Sequence, residues 1–295
     1  MDTLYVWLTS NPVAALVTSG ALALVIGSFL NVVIHRLPVM LERTWLRQCQ
    51  EMSGAETSAA DAEETYNLIT PRSRCPHCNH NITALQNIPV ISFLWLKGKC
   101  VACGHPISWR YPIVELLTAI LSMVVIWHLG ITFAGGAALL FTWMLIALAV
   151  IDFDHQILPD NLTLPLIWIG LLVNLYPNPA FAPLTSAVIG AVAGYLSLWS
   201  VFHIFKLITG KEGMGYGDFK LFAAFGAWLG WQNLPLIVLL ASLVGAIVGG
   251  ALILVLGRDR QLPIPFGPFL CAAGWIALLW GNDLTRFYLQ FAGLN

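Results

Sequence analysis

Apolar positions in this chain run on in long uninterrupted blocks, with neither the stripe of a surface helix nor the alternation of a half-buried strand. Val13 to Ile34 carries no charge and is the length that a bilayer core of about 30 Å takes as one helix, about 20 residues. Leu116 to Ile151 contains no Asp, Glu, Lys or Arg. As a single helix it would extend roughly 54 Å at 1.5 Å per residue, so it divides into two spans, with the break at Leu129-Gly130 and Gly135-Gly136. Asn161 to Phe205 divides at the turn from Tyr176 to Pro183, and Leu221 to Leu256 divides at Asn233-Leu234-Pro235. Pro265 to Trp280 supplies the last span. The pattern predicts an all-α polytopic membrane protein of about eight transmembrane helices, those over 162–176 and 219–232 being the shortest.

Composition agrees: the 295 residues are 58% hydrophobic and 10% charged, far below the quarter charged of a soluble domain. Most charges crowd into 35–111, which sets the expected domains: a first span over 1–34, a polar loop domain over 35–111 and a polytopic domain over 112–295. Gln50 to Thr65, rich in Ala, Ser, Glu and Thr, reads as a mobile insert. With the polar loop cytoplasmic, Arg36, Arg43, Arg47 and the loop's other cations lie inside. Lys206, Lys211, Lys220, Arg258 and Arg260 join them, and only Arg286 lies outside. Both termini are then periplasmic. The first apolar run lacks a basic n-region and a small-residue cleavage site, so it reads as a retained span. No basic stripe runs beside exposed aromatics, which argues against nucleic acid as a partner.

Four of the six cysteines form two Cys-x-x-Cys pairs, Cys75/Cys78 and Cys100/Cys103, with 21 residues between the pairs. Four thiolates in this arrangement satisfy tetrahedral Zn²⁺. Asn79 and Gly104 follow the pairs and tolerate the left-handed turn that aims backbone amides at sulfur. A closed four-sulfur site organises a loop rather than performing chemistry. Cys49 and Cys271 read as ordinary thiols.

Acidic residues in an apolar span are costly and mark function. Two segments qualify: Ile151-Asp152-Phe153-Asp154 through Pro159-Asp160 at the end of the third span, and Gly213 through Gly217-Asp218 where the sixth begins. The topology puts both at one face. Two adjacent carboxylates share one proton, and such a pair can activate water against a peptide carbonyl. Position alone does not separate Asp152 from Asp154. The glycines before Asp218 suit close approach of an extended substrate backbone.

Taken together, Gly215-Tyr216-Gly217-Asp218, Ile151-Asp152 with Leu158-Pro159-Asp160, the cysteine pairs, and Gly27-Ser28-Phe29-Leu30-Asn31 with His35-Arg36-Leu37-Pro38 resemble the bacterial type IV prepilin peptidase family over nearly the whole chain. The resemblance implies cleavage of a basic leader from prepilins and type II secretion pseudopilins at the cytoplasmic face of the inner membrane. It implies Asp152 and Asp218 as the catalytic pair. It also implies methylation of the new N-terminus from S-adenosylmethionine, the four-cysteine loop being typical of methylating members.

The remaining polar residues have plainer expected roles. Asp160 reads as the N-cap of the helix after it, Asp154 as a solvated or hydrogen-bonded neighbour and Glu115 as a helix-start acid. Lys206, Lys211 and Lys220 read as interfacial anchors, and Asn31 as a helix–helix hydrogen bond. His128 and His203 read as packing residues, and Gly245 to Gly250 as close helix contact. A transporter is the rival class. Its acids would lie near the midplane in repeated halves, and the chain has no convincing repeat.

Overall fold

In a computed structural model, residues 2–53, 66–83, 85–176, 180–257 and 264–291 are described. The insert expected up to Thr65, beyond Ser53, lies outside them, as do Arg258 and Arg260. The chain divides into two compact units, Met1–Trp127 and His128–Asn295.

Each of the eight apolar segments is a helix: α2 (Pro12–Met52), α4 (Arg110–Leu129), α5 (Phe133–His155), α6 (Asp160–Asn174), α7 (Leu184–Thr209), α8 (Tyr216–Leu229), α9 (Leu234–Leu256) and α10 (Gly267–Phe291). Two short helices, α1 (Asp2–Ser10) and α3 (Ile91–Trp95), complete the set, and the described residues include no β-strand. Five helices are long and apolar enough to cross a membrane, and the chain is a multi-pass membrane protein. At 15 and 14 residues, α6 and α8 reach only about 22 and 21 Å at 1.5 Å per residue.

In the first unit, α2 continues as helix well past Ile34, through Pro38, to Met52, so the polar region opens as an extension of the span. Its 41 residues extend about 61 Å. Asn31 donates to the Tyr111 carbonyl at 3.1 Å, the expected helix–helix bond. Gly27 is where α2 and α4 meet most closely: a Cβ there would lie 2.8 Å from the Glu115 Cα. Glu115 does not cap its own helix. It is buried in α4 and accepts the Val90 N–H at 2.8 Å, tying the start of α3 to α4. Arg36 donates to the carbonyls of Asn67 and Pro71 at 2.8 and 2.6 Å, pinning the loop's first turn.

In the second unit, α5 begins at its Thr132 cap, which accepts the Gly135 N–H at 3.0 Å. The break is therefore at Gly130–Thr132, and Gly135-Gly136 lie inside the helix. The packing centre is α8, buried from Leu221 to Leu229 on every face, which is why a helix that short and that apolar can exist. Small residues let its neighbours reach it. A Cβ on Gly226 would strike the Gly190 carbonyl of α7, one on Gly194 would lie 2.7 Å from the Phe222 carbonyl, and one on Gly170 of α6 would strike the Trp228 ring. Trp228 Nε1 donates to the Leu166 carbonyl at 2.8 Å. Asn174, at the end of α6, donates to the Ala227 and Trp228 carbonyls at 3.0 and 2.8 Å. It also accepts the N–H groups of Phe181 and Ala182, both at 3.1 Å. One buried amide thereby satisfies the end of α8 and the turn before α7. The α9 glycines are looser than expected: Gly245 lies against the Phe269 ring, whereas nothing lies within 4 Å of a Cβ at Gly250.

These contacts separate two glycines. Gly226→Ala should lower the detergent-solubilised melting temperature markedly, because backbone cannot yield to the new Cβ. Gly250→Ala should be neutral or stabilising, since Ala is preferred over Gly in a helix by about 1 kcal/mol. Replacing Asn174 by Leu should cost about 2–4 kcal/mol through orphaned buried backbone groups, read as a lowered melting temperature.

Candidate active site and metal centre

The cysteine loop is built twice. Cys75 and Cys100 stand 25 positions apart, as do Cys78 and Cys103, Asn79 and Gly104, and His80 and His105. Each first cysteine donates its N–H to the histidine carbonyl at 2.9 Å, and Asn79 and Gly104 return an N–H to that cysteine's carbonyl, also at 2.9 Å. Asn79 (φ 55°) and Gly104 (φ 69°) adopt the expected left-handed turn. Isolated bridges close each knuckle, Arg74 with Asn81 and Lys99 with Pro106. The duplication went unread in the sequence because, from 72 to 83, only the cysteines, His80/His105 and Ile82/Ile107 are identical across it.

The four sulfurs fit a tetrahedral ion. Cys75 and Cys103 Sγ lie 3.9 Å apart, as do Cys78 and Cys100 Sγ, and all four lie within 4.8 Å of one another. Zn–S bonds of about 2.3 Å at the tetrahedral angle require sulfurs about 3.8 Å apart. The N–H groups of Cys78 and His77 pull the Cys75 thiol down to about 7, and those of Cys103 and Ala102 likewise lower Cys100. Each knuckle's backbone amides thus favour the thiolate of its first cysteine, whereas at Cys78 the His80 N–H is outweighed by burial and the neighbouring sulfurs, which push the thiol up to about 12. The His77 and His105 rings stack 4.6 Å apart rather than entering the sulfur cluster.

Both sequence-selected aspartates lie in the second unit, and both are buried, 6% and 7% exposed. Asp152 sits in the last turn of α5, and its Oδ2 accepts the Gly267 N–H at 3.0 Å. Asp218 is the third residue of α8, and its Oδ2 accepts the Gly215 N–H at 3.2 Å. Asp152 and Asp218 lie close enough for their charges to interact, and Cys271 of α10 lies near both. Asp218 Oδ1 is buried without a hydrogen-bond partner among the described residues, left over to accept from a water or to carry a proton.

The neighbouring acids separate by environment. Asp154 is exposed, turned away from the buried face of α5 that carries Asp152. Asp160 is not the N-cap of α6, which is Pro159. It is the first helical residue, and both its oxygens accept from Lys220 Nζ, at 2.6 and 2.7 Å. Lys220 is therefore committed to Asp160 in an ion pair joining α6 to α8. Lys206 pairs with Glu212 at 2.7 Å, and the exposed His203 packs on Trp199. Gly217 serves the chain's own packing: a Cβ there would lie 2.6 Å from the Leu158 Cβ. The loop after Asp152 thus rests on the start of α8, which brings the two carboxylates to one place. Sequence reasoning missed Gly267. Its signal was a glycine between Phe266 and Pro268 opening the last apolar run.

Residues 21–129 match the family model of the bacterial peptidase A24 N-terminal domain, and residues 139–250 match that of the type IV leader peptidase family. The chain is 61% identical over 268 residues to a prepilin leader peptidase/N-methyltransferase of Aeromonas salmonicida, covering 91% of each chain. It is 56% identical to that of Pseudomonas aeruginosa over 289 residues, 98% of each, and 51% identical to that of Dichelobacter nodosus over 274 residues, 92% of this chain and 94% of the relative. No solved structure matches the chain. Alongside two buried aspartates at one end of an apolar bundle and a four-sulfur centre, these matches place the chain in the type IV leader peptidase family, as an aspartic endopeptidase with N-methyltransferase activity.

Proposed function

We propose that this enzyme removes the basic leader of type IV prepilins and type II secretion pseudopilins with Asp152 and Asp218, at the cytoplasmic face of the bacterial inner membrane. It then methylates the new N-terminus from S-adenosylmethionine. The observation that carries the reading is the burial of these two carboxylates within electrostatic reach of each other, one closing α5 and one opening α8. A pair of this kind holds one proton between its members. The ionised member takes a proton from water as the oxygen attacks the scissile carbonyl, and the protonated member gives its proton to the developing oxyanion. On collapse the first passes water's proton to the leaving amine and the second recovers a proton from the gem-diol hydroxyl, which restores the pair. The orphan Oδ1 of Asp218 suits an exchange of this sort. The cations of the polar loop and of the α7–α8 connection support the cytoplasmic assignment.

Cys75, Cys78, Cys100 and Cys103 would hold Zn²⁺, which when bound closes the two knuckles and supplies folding free energy to a loop with little apolar core. Among the described residues no strand leads into a helix, so the glycine-rich strand–helix cradle of nucleotide cofactors has no counterpart for the methyl donor. The methyl-transfer half of the proposal rests on the relatives.

Asp152→Asn and Asp218→Asn should each remain membrane-inserted and cut a prepilin-type substrate at least about 10³-fold more slowly, as loss of an acid–base partner demands. Leader removal at the wild-type rate by either variant, followed by gel shift in isolated membranes, would take that residue out of the mechanism. For the metal, Cys75→Ser combined with Cys100→Ser should abolish zinc measured by mass spectrometry. Thiolate character is gained above the folded pKa and lost below it. Zinc uptake by the stripped loop should therefore weaken steadily as pH falls, as the four thiols take up the protons that the metal must displace.

A further inference from the structure

Asp152 occupies a poor place for a negative charge. It lies in the last turn of α5, where unpaired carbonyls gather and the helix dipole is negative. What offsets this comes from 115 residues away, in the Gly267 N–H that opens α10. At this helix start the donors are few: Pro268 has no N–H, and the Leu270 N–H is taken by the Phe266 carbonyl at 3.1 Å. The free N–H at the positive end of a helix is a natural carboxylate partner.

The lack of a side chain at 267 is tied to the same carboxylate. A Cβ there would lie 2.5 Å from Asp152 Oδ2, 3.0 Å from its Cγ and 3.3 Å from its Cβ, and those are its three nearest atoms. Gly267 is not among the positive-φ residues, so beyond the ordinary cost of a Cβ in helical backbone before Pro268, the nearest obstacle to a side chain is Asp152. Further along α10, a Cβ on Gly274 would strike the Phe225 ring of α8, so the helix carrying this donor is seated against the one carrying Asp218. Asp218 is held locally, by the start of its own helix, whereas Asp152 is held by a different element.

We propose that Gly267 is a positioning residue for leader cleavage: its N–H and its missing side chain fix Asp152 Oδ2, so that the seating of α10 sets the geometry of the aspartate pair. This rests on the reading that Asp152 is catalytic. Gly267→Ala should reduce kcat for leader cleavage by about 100-fold with KM changed less than about twofold, the effect of misplacing a reacting group by around 1 Å. Its pH–rate profile should be displaced, since a donor to one member of the pair is disturbed.

Melting temperatures supply the second arm. Gly267→Ala should destabilise the wild type clearly more than the Asp152→Ala background, where the truncated carboxylate leaves room for the Cβ and only the cost of a Cβ before Pro268 remains. If Gly267→Ala alone fails to fold, the double variant should recover folding. Wild-type kcat and pH profile in Gly267→Ala would overturn the proposal, as would equal destabilisation or failure to fold in both backgrounds. The parent reading fails separately: wild-type cleavage by Asp152→Asn removes Asp152 from catalysis. An inactive Asp152→Asn beside a fully active Gly267→Ala removes only the positioning role.

Discussion

Carboxylates survive inside an apolar helix bundle only when fixed donors replace the water they have lost. In this chain those donors are backbone N–H groups at helix starts: Gly215 for Asp218 and Gly267 for Asp152. Both donors are neutral. The nearby lysine, Lys220, is drawn off by Asp160, as the proposed aspartate chemistry requires. Everything else in the second unit follows from having to bring three helix ends to one place.

The scaffold does this with small residues and one amide. Gly190, Gly194 and Gly226 bring α7 against α8 at backbone distance, Gly170 of α6 makes room for the Trp228 ring, and Asn174 closes the far end of α8. A 14-residue helix can then be enclosed by protein, and its first turn, carrying Asp218, ends at the level of the loop after α5. Gly217 against Leu158 is the contact that makes that level common. The second glycine of Gly-x-Gly-Asp is accordingly explained by the fold, ahead of any need to admit substrate.

Much of this was legible in the sequence. Uninterrupted apolar runs marked the eight helices, and the breaks from α4 onward to within a few residues, because lipid leaves the backbone few alternatives to helix. Four cysteines with Asn79 and Gly104 marked the knuckles down to the left-handed turns. What stayed hidden was partnership across distance. Asp160 looked like a cap and proved to be half of an ion pair with Lys220, since local capping rules carry no information about a lysine 60 residues on. Glu115 looked like a helix-start acid and instead reaches to Val90. The length of α2 was missed because charged residues are good helix formers once a span has nucleated the helix.

The central claim is that Asp152 and Asp218, rather than Asp154 and Asp218, face each other in the membrane-embedded enzyme. Paired cysteines test it directly. With Cys49 and Cys271 replaced, Asp152→Cys with Asp218→Cys should be joined by a short bifunctional methanethiosulfonate in native membranes. The link would be scored by retention of one band after cleavage at a protease site placed in the turn before α7. Efficient joining is expected for this pair and little for Asp154→Cys with Asp218→Cys. Absence of joining at 152–218, or stronger joining at 154–218, would contradict the claim.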